Sequence, residues 1–447
     1  MTSRAPTDYD ALIVGAGPAG ATAACLLARA GWSVALVEKQ RFPRRKVCGE
    51  CVAASNLPLL EALGIGAAFE ADAGPALTRV ALLRGAHARV AALPGADHPR
   101  HRWGRALGRE TLDTLLLGQA AAAGAHVLQP WSVQAVEGVA GDWRIELRSI
   151  DTGAVRALRA RVAIAANGSW ETLPTDRTPR RAARRSSDLF AFKANFRGAA
   201  LADGLLPVIA FDGGYGGMVV AGGGVTTLAC CIRRDRLDAL RSAAPGLRAG
   251  AAVEAALKRD TAAVGAALEW AVRDGAWLAA GPIDPGIRLR AGDTMFRIGN
   301  AAGEAHPILG EGMSMALQSA WLLCGELLAP APGAPARGEP APRAPTREAA
   351  CGAAWQHEVA QRYAAQWRRE FVPRLRLAAA FAHLAMRPAG AATLVALTRL
   401  WPGLLTAGAR WGGKARCAGD PATMVRLAAH AAPAGTQAEA AGAVTIE

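Results

Sequence analysis

The chain has 447 residues, enough for two or three domains around a sizeable core. Its net charge is +14, with Arg far outnumbering Lys, which fits a biased genome composition or a basic face for an anionic membrane surface or an acidic acyl carrier. Nucleic acid is excluded as a partner, because no reading motif or aromatic-rich basic patch accompanies the charge.

Met1 to Asp10 is polar and does not read as a signal peptide. The stretch 10–39 organises everything after it. Ala11 to Val14 is a short apolar run, as a buried parallel strand requires. Gly15, Gly17 and Gly20 follow at G-x-G-x-x-G spacing, with Pro18 and Ala19 between them. The first glycine permits a tight turn, the second lets backbone approach a pyrophosphate, and the third lets a helix pack on the strand. Ala21 to Arg29 is helix material ended by Gly31, and Ser33 to Val37 is a second strand. Glu38, followed by Lys39, stands at its carboxyl end, 18 residues after Gly20, where an acid bonds a ribose 2′-hydroxyl. That order predicts a dinucleotide site with an unphosphorylated adenosine ribose, FAD or NAD rather than NADP.

Arg41 to Glu50 is a basic loop carrying Cys48 and Gly49. Cys48 and Cys51 form C-x-x-C, but Cys230 and Cys231 are adjacent and fit no zinc spacing, so no metal site is predicted. The eight cysteines are scattered and expected to be reduced, as in a cytoplasmic protein. Asn56 to Leu63 reads as a helix capped by Gly64, and Ala76 to Leu93 alternates as strands do. His87, His98 and His101 read as solvated loop residues. A helix and strand follow Gly108, with Arg109 at the helix N-terminal side and Asp113 one turn on. Arg161 to Ala166 is a buried strand, and Thr172 to Ser187 an Arg- and Pro-rich crossover. In the strand Leu189 to Phe196, phenylalanines share one face and Lys193 and Asn195 the other, where a lysine is ordinarily solvated. Glycines surround a short strand at 213–224, another strand follows at 225–233, and 234–270 is helical.

Met295 to Gly299 is a strand leading into Asn300-Ala301-Ala302-Gly303-Glu304-Ala305-His306-Pro307-Ile308-Leu309-Gly310-Glu311-Gly312, and a long apolar helix begins at Met313. This is a second strand, glycine-bounded loop and helix whose N–H groups can face a phosphate or a flavin ring. An Ala/Pro-rich linker covers 331–348. Glu348 to Arg369 is an amphipathic helix. The region 371–411, broken at Pro388 and Pro402, reads as a helical cap or as a membrane-surface face. No uncharged run reaches the ~18 residues of a spanning helix.

Three separated motifs, GAGPAG with Glu38, the Arg109 helix, and GNAAGEAHPILGEGMSMAL, together resemble the FAD-dependent superfamily of aromatic-ring hydroxylases, flavin halogenases and geranylgeranyl reductases. The resemblance spans about 10–325 and implies FAD. In it Arg109 reaches the diphosphate, while Asn300, Pro307, Gly310, Gly312 and Met313 lie under the ribityl chain and isoalloxazine. Cys48 and Gly49 of the K-V-C-G-E segment are similar to geranylgeranyl reductases, where the matching cysteine lies close to the flavin. Asn300 stands in place of the usual aspartate, and Asn167-Gly168-Ser169 where hydroxylases carry D-G. The halogenase W-x-W-x-I-P motif is absent.

The expected fold class is α/β: a Rossmann-type FAD-binding domain (1–75, 104–185, 280–330) with an inserted antiparallel β-sheet substrate domain (76–103, 186–279). A C-terminal helical region (349–430) and a disordered tail (431–447) follow. The leading functional reading is a monooxygenase, fed by NADPH or NADH, that hydroxylates a lipophilic aromatic or polyketide-type small molecule through a flavin C4a-hydroperoxide. Glu304, His306 and Glu311 are its candidates for proton handling. An ene-reductase acting on a prenyl or polyene chain, with Cys48 assisting, and a flavoprotein carrying electrons to a partner protein are the alternatives.

Overall fold

Ala11, Leu12, Ile13 and Val14 are buried on both sides, and the reason is their place in a sheet. In the computed structural model, which describes residues 7–169, 173–174, 184–290, 295–329, 352–401 and 403–411, the strand Thr7–Val14 is central. It pairs in parallel with Val34–Val37 on one side and Val155–Ala165 on the other. Parallel strands covered on both faces need continuous apolar runs, and 11–14, 34–37 and 162–165 supply them. His126–Leu128 extends the parallel part, while Asp142–Ser149 and Trp131–Val139 add an antiparallel meander. Phe296–Arg297 joins the carboxyl end of Val155–Ala165 in parallel. One face packs Leu26, Leu27, Leu112, Leu116, Leu317 and Trp321 from three helices.

A second sheet joins Leu189–Arg197, Thr226–Arg233, Gly214–Val220, Leu205–Phe211, Arg79–Arg84 and His87–Ala92. It is mainly antiparallel, but Leu205–Phe211 runs parallel to Arg79–Arg84. One face buries Phe192, Ala194, Phe196 and Leu228 under the helices Arg234–Ala243 and Ala249–Asp260. The other face carries Leu189, Ala191, Tyr215 and Cys231 against Ala382, Ala385, Met386 and Val395 of the C-terminal helices. Lys193 lies on that second face at 1 % exposure, so the expectation of a solvated lysine is corrected: the strand's polar face is covered by the rest of the chain. His101 is also buried, its Nε2–H donating to Glu61 Oε2 at 2.9 Å, rather than solvated.

The first C-terminal helix does not stop near Arg369. It runs Ala353–Ala385, through Pro373. Val359, Tyr363, Trp367, Phe371, Leu375, Ala378 and Ala382 form one buried stripe along it, and that burial outweighs the hydrogen bond the proline removes. Trp367 packs so closely that a Cβ on Gly303 would come within 2.6 Å of its ring. Pro388–Leu400 and Gly403–Trp411 then cross the second sheet's open side. Among the described residues no single helix is long and apolar enough to cross a membrane. The linker and the tail lie outside the described residues, as does most of the crossover at 172–187.

Candidate active site

The two glycine turns meet at the carboxyl ends of Thr7–Val14 and Phe296–Arg297, the strands that flank Val155–Ala165. Gly15 has φ +100°, and a Cβ there would lie 2.4 Å from the Ala166 carbonyl oxygen. A Cβ on Gly20 would lie 1.8 Å from the Gly15 carbonyl oxygen, so the helix Pro18–Arg29 can sit this close only on glycine. Gly17 is the N-cap and supplies no side-chain cap, which leaves the N–H groups of the first turn, at Ala19 and Gly20, facing outward. Its own Cβ direction is open, with Arg109 Nη2 the nearest atom at 3.9 Å. Gly299 (φ +58°) approaches Ala19 from the second turn, where a Cβ would stand 3.0 Å from the Ala19 Cβ.

Glu38 is 5 % exposed at the end of its strand. Its Oε2 accepts from the Ala16 N–H and its Oε1 from the Gln40 N–H, both at 2.9 Å. Lys39 beside it is half-buried. Arg109 opens the helix Arg109–Ala122 and forks onto Asp113, Nε to Oδ1 at 2.7 Å and Nη2 to Oδ2 at 2.8 Å. Burial works against its charge, but the Asp113 carboxylate more than offsets it and holds the guanidinium protonated. Cys48, half-buried, lies near enough to that guanidinium to act on its charge and receives the Glu50 N–H at 3.3 Å. Cys48 and Cys51 are both free thiols. Gly49 is exposed, with nothing near its Cβ direction.

The basic loop closes over this place. Arg44 Nη2 stands 3.7 Å from both Glu38 Oε2 and Asp113 Oδ2, while its Nε and Nη1 are buried without a hydrogen-bond partner. Lys46 reaches toward Gly168. Desolvation first, then the like charges of Arg109 and Arg44, push its ammonium down to about 8.

In the second turn, Asn300 Nδ2 donates to Ser169 Oγ at 2.7 Å, and Ser169 donates to Glu304 Oε1 at 2.8 Å. Glu304 Oε2 receives Arg288 at 2.7 Å, so this carboxylate anchors the turn. Glu311 is buried at the start of the helix Gly312–Leu327, with Arg374 Nη1 at 3.8 Å. Met313 is buried; Pro307 is exposed; Gly310 has φ +63°; and nothing lies near the Cβ direction of Gly312. His306 Nδ1 meets the Tyr215 hydroxyl at 3.3 Å, and its ring stands edge to face on His383 at 5.6 Å between centroids. Burial, aided by His383, lowers His306 to about 4. Burial also raises the Tyr215 phenol well above its ordinary value, with Cys231 adding to it.

Residues 8–243 match the family described as FAD binding domain. The chain belongs to that family. Over 66 residues it is 50 % identical to tryptophan 2-halogenase of Chondromyces crocatus, which covers 15 % of this chain and 12 % of that protein. Over 59 residues it is 44 % identical to menaquinone reductase of Mycolicibacterium smegmatis, covering 13 % and 14 %. The chain therefore aligns with only a small part of the length of these relatives. Its fold is similar over most of its length to that of the flavin-dependent brominase Bmp2 (TM-score 0.70, 16 % identity, 94 % of this chain and 97 % of that one). It also resembles a geranylgeranyl bacteriochlorophyll reductase-like protein of Thermoplasma acidophilum (TM-score 0.66, 16 % identity, 97 % and 99 %). A third similar fold is PqsL of Pseudomonas aeruginosa, a probable FAD-dependent monooxygenase (TM-score 0.60, 20 % identity, 85 % and 96 %).

The residues present fit FAD. The Arg44 donors buried without a hydrogen-bond partner, the uncapped helix at Gly17 and the Lys46 ammonium between Arg109 and Arg44 are donors suited to a diphosphate. An arriving diphosphate favours charged Lys46, so above pH 8 the free protein must take up a proton to bind. FAD affinity should therefore fall as pH rises past 8, by up to about tenfold per unit, and Lys46→Gln should flatten that slope in a fluorescence titration. Arg44, Lys46, Glu50, Lys193, Tyr215, Thr227 and His383 were not singled out as site residues by sequence reasoning. The signals present were the density of basic residues in 41–46 and the polar face of 189–196. Among the described residues no cluster of His, Cys, Asp and Glu could hold a metal.

Proposed function

We propose that the chain is an FAD-dependent oxidoreductase and, within that class, a monooxygenase that hydroxylates a lipophilic aromatic small molecule, with NADPH or NADH as donor. The observation that carries this reading is the Tyr215–His306 pair at the edge of the apolar cluster Leu82, Leu189, Ala191, Cys231 and Met386, beside the second glycine turn. Bound FAD would supply the electron transfer and oxygen activation. The uncapped helix with Arg44 and Lys46 would hold the diphosphate, Glu38 the ribose, and the open space at Gly312, after the turn from Pro307 to Gly310, would receive a flat ring. The apolar cluster keeps water from the Tyr215–His306 pair, as a lipophilic substrate beside that pair would require. His306 is neutral at ordinary pH, so its Nδ1 can accept the hydrogen bond of the Tyr215 hydroxyl and turn that oxygen's lone pairs toward the proton of a phenolic substrate. Glu304, tied to Arg288, is left to hold the turn.

Double-bond reduction of a prenyl or polyene chain is the second reading. Cys48 supports it, since a free thiol beside the Arg109 guanidinium, holding the Glu50 N–H, is placed to help protonation. Anaerobic reduction of the purified protein by NADPH or NADH with candidate phenols, followed by air, separates the two. Hydroxylation predicts substrate-stimulated bleaching and then a product carrying one atom from dioxygen. A product formed better without air, or one carrying halide, would overturn it.

A further inference from the structure

Glu50 stands where three parts of the molecule meet. It is 1 % exposed and, at φ +57°, is the non-glycine residue that the described chain holds in the left-handed region. Its Oε1 accepts the Arg109 backbone N–H at 3.0 Å, at the N-terminus of the Arg109 helix, and pairs with Lys193 Nζ. Its Oε2 accepts the Thr227 hydroxyl at 2.5 Å, and Asn195 Oδ1 lies 3.2 Å from the same hydroxyl. Its own N–H points at Cys48 Sγ. Lys193 and Thr227 belong to neighbouring strands of the second sheet, at 1 % exposure each. Arg109 belongs to the side of the first glycine turn, its Nη2 3.9 Å from the Cβ direction of Gly17, with Cys48 near it.

A buried ion pair returns little net stability, because desolvating two charges offsets their attraction. What it does fix is geometry. A carboxylate held by an ammonium, a hydroxyl and a helix N–H cannot rotate, and its backbone is the anchor of the Cys48 thiol. The left-handed backbone at Glu50 is the cost of aiming that carboxylate into the second sheet.

We propose that Glu50 and Lys193 form a positioning clasp. Through it the second sheet sets where Cys48 and the start of the Arg109 helix stand, and so sets FAD affinity. The clasp rests on FAD binding and not on the choice between hydroxylation and reduction. A pair that merely fills space would affect stability alone.

The test uses Glu50→Gln/Lys193→Met, which removes both charges and leaves none unpaired. Its FAD dissociation constant is read by flavin fluorescence, and alkylation of Cys48 by iodoacetamide is followed on the Cys48 peptide by mass spectrometry. The clasp predicts FAD binding weaker by about tenfold or more, and Cys48 alkylated several-fold faster, as contacting residues couple. Both values within about twofold of wild type in a folded double variant overturn it. If the double variant does not fold, Thr227→Val decides, because it removes one neutral donor. A rise of about threefold in the FAD dissociation constant supports the clasp, and no change overturns it. Wild-type protein that refuses FAD altogether would instead overturn the FAD reading beneath it.

Discussion

Gly20→Ala protein is expected to purify colourless. The added Cβ would lie 1.8 Å from the Gly15 carbonyl oxygen and 3.1 Å from the Ala166 Cβ. The first contact is backbone at a turn that is itself pinned, since Gly15 N–H donates to the Val37 carbonyl at 2.7 Å. The helix Pro18–Arg29 must therefore move off the sheet. Overpacking of this kind costs about 1–3 kcal/mol, and it carries the first-turn N–H groups away from the diphosphate position. The FAD dissociation constant should rise by on the order of a hundredfold, with a lower melting temperature in the FAD-free protein. Gly17→Ala separates the two effects. Gly17 has φ −66°, and only Arg109 lies near its Cβ direction, at 3.9 Å, so the FAD-free fold should melt close to wild type. Its methyl group would nevertheless occupy the line of approach of a pyrophosphate, and FAD affinity should fall by at least about tenfold. Retention of flavin by Gly17→Ala at wild-type affinity would place the diphosphate somewhere else.

Tyr215→Phe should cost hydroxylation about a hundredfold in kcat, because it keeps the ring in its apolar setting and deletes the hydroxyl on His306. His306→Gln should cost as much, and the double variant no more than either alone, as expected of two groups acting on one proton. Four neighbours set the electrostatics here: His383 faces His306, while Cys231, Cys230 and Glu304 face Tyr215. His306, lowered to about 4 from an ordinary 6.5, is neutral across the physiological range, so the acid limb it imposes on the rate falls near pH 4. The unfolded chain binds a proton at this position between pH 6.5 and 4 that the folded chain does not. His306 therefore contributes a loss of stability as pH falls through that window, and His306→Gln should remove that part of the acid sensitivity in thermal melts. Wild-type turnover by Tyr215→Phe would rule out a role for that hydroxyl.

Much of the FAD-side architecture was legible in the chain because its rules are local. Glycine spacing, an apolar run on either side and an acid at the end of the next strand are all constraints on backbone within about 30 residues. The second turn at 299–312 was legible for the same reason. The continuation of the C-terminal helix past Arg369 and through Pro373 was not, since it depends on distant parts of the chain covering the stripe from Val359 to Ala382. His101 was misjudged likewise, because nothing near it in the chain announces Glu61.

The sequence by itself determined that a dinucleotide turn, an arginine helix and a second glycine turn exist, and in what order. Only the tertiary structure decided which side chains converge. Tyr215 and His306 are separated by 91 positions, and Glu50 and Lys193 by 143, and no periodicity records such pairs. Backbone geometry is written in neighbouring residues, but a buried charge or phenol is defined by what desolvates it, and that comes from distant parts of the chain.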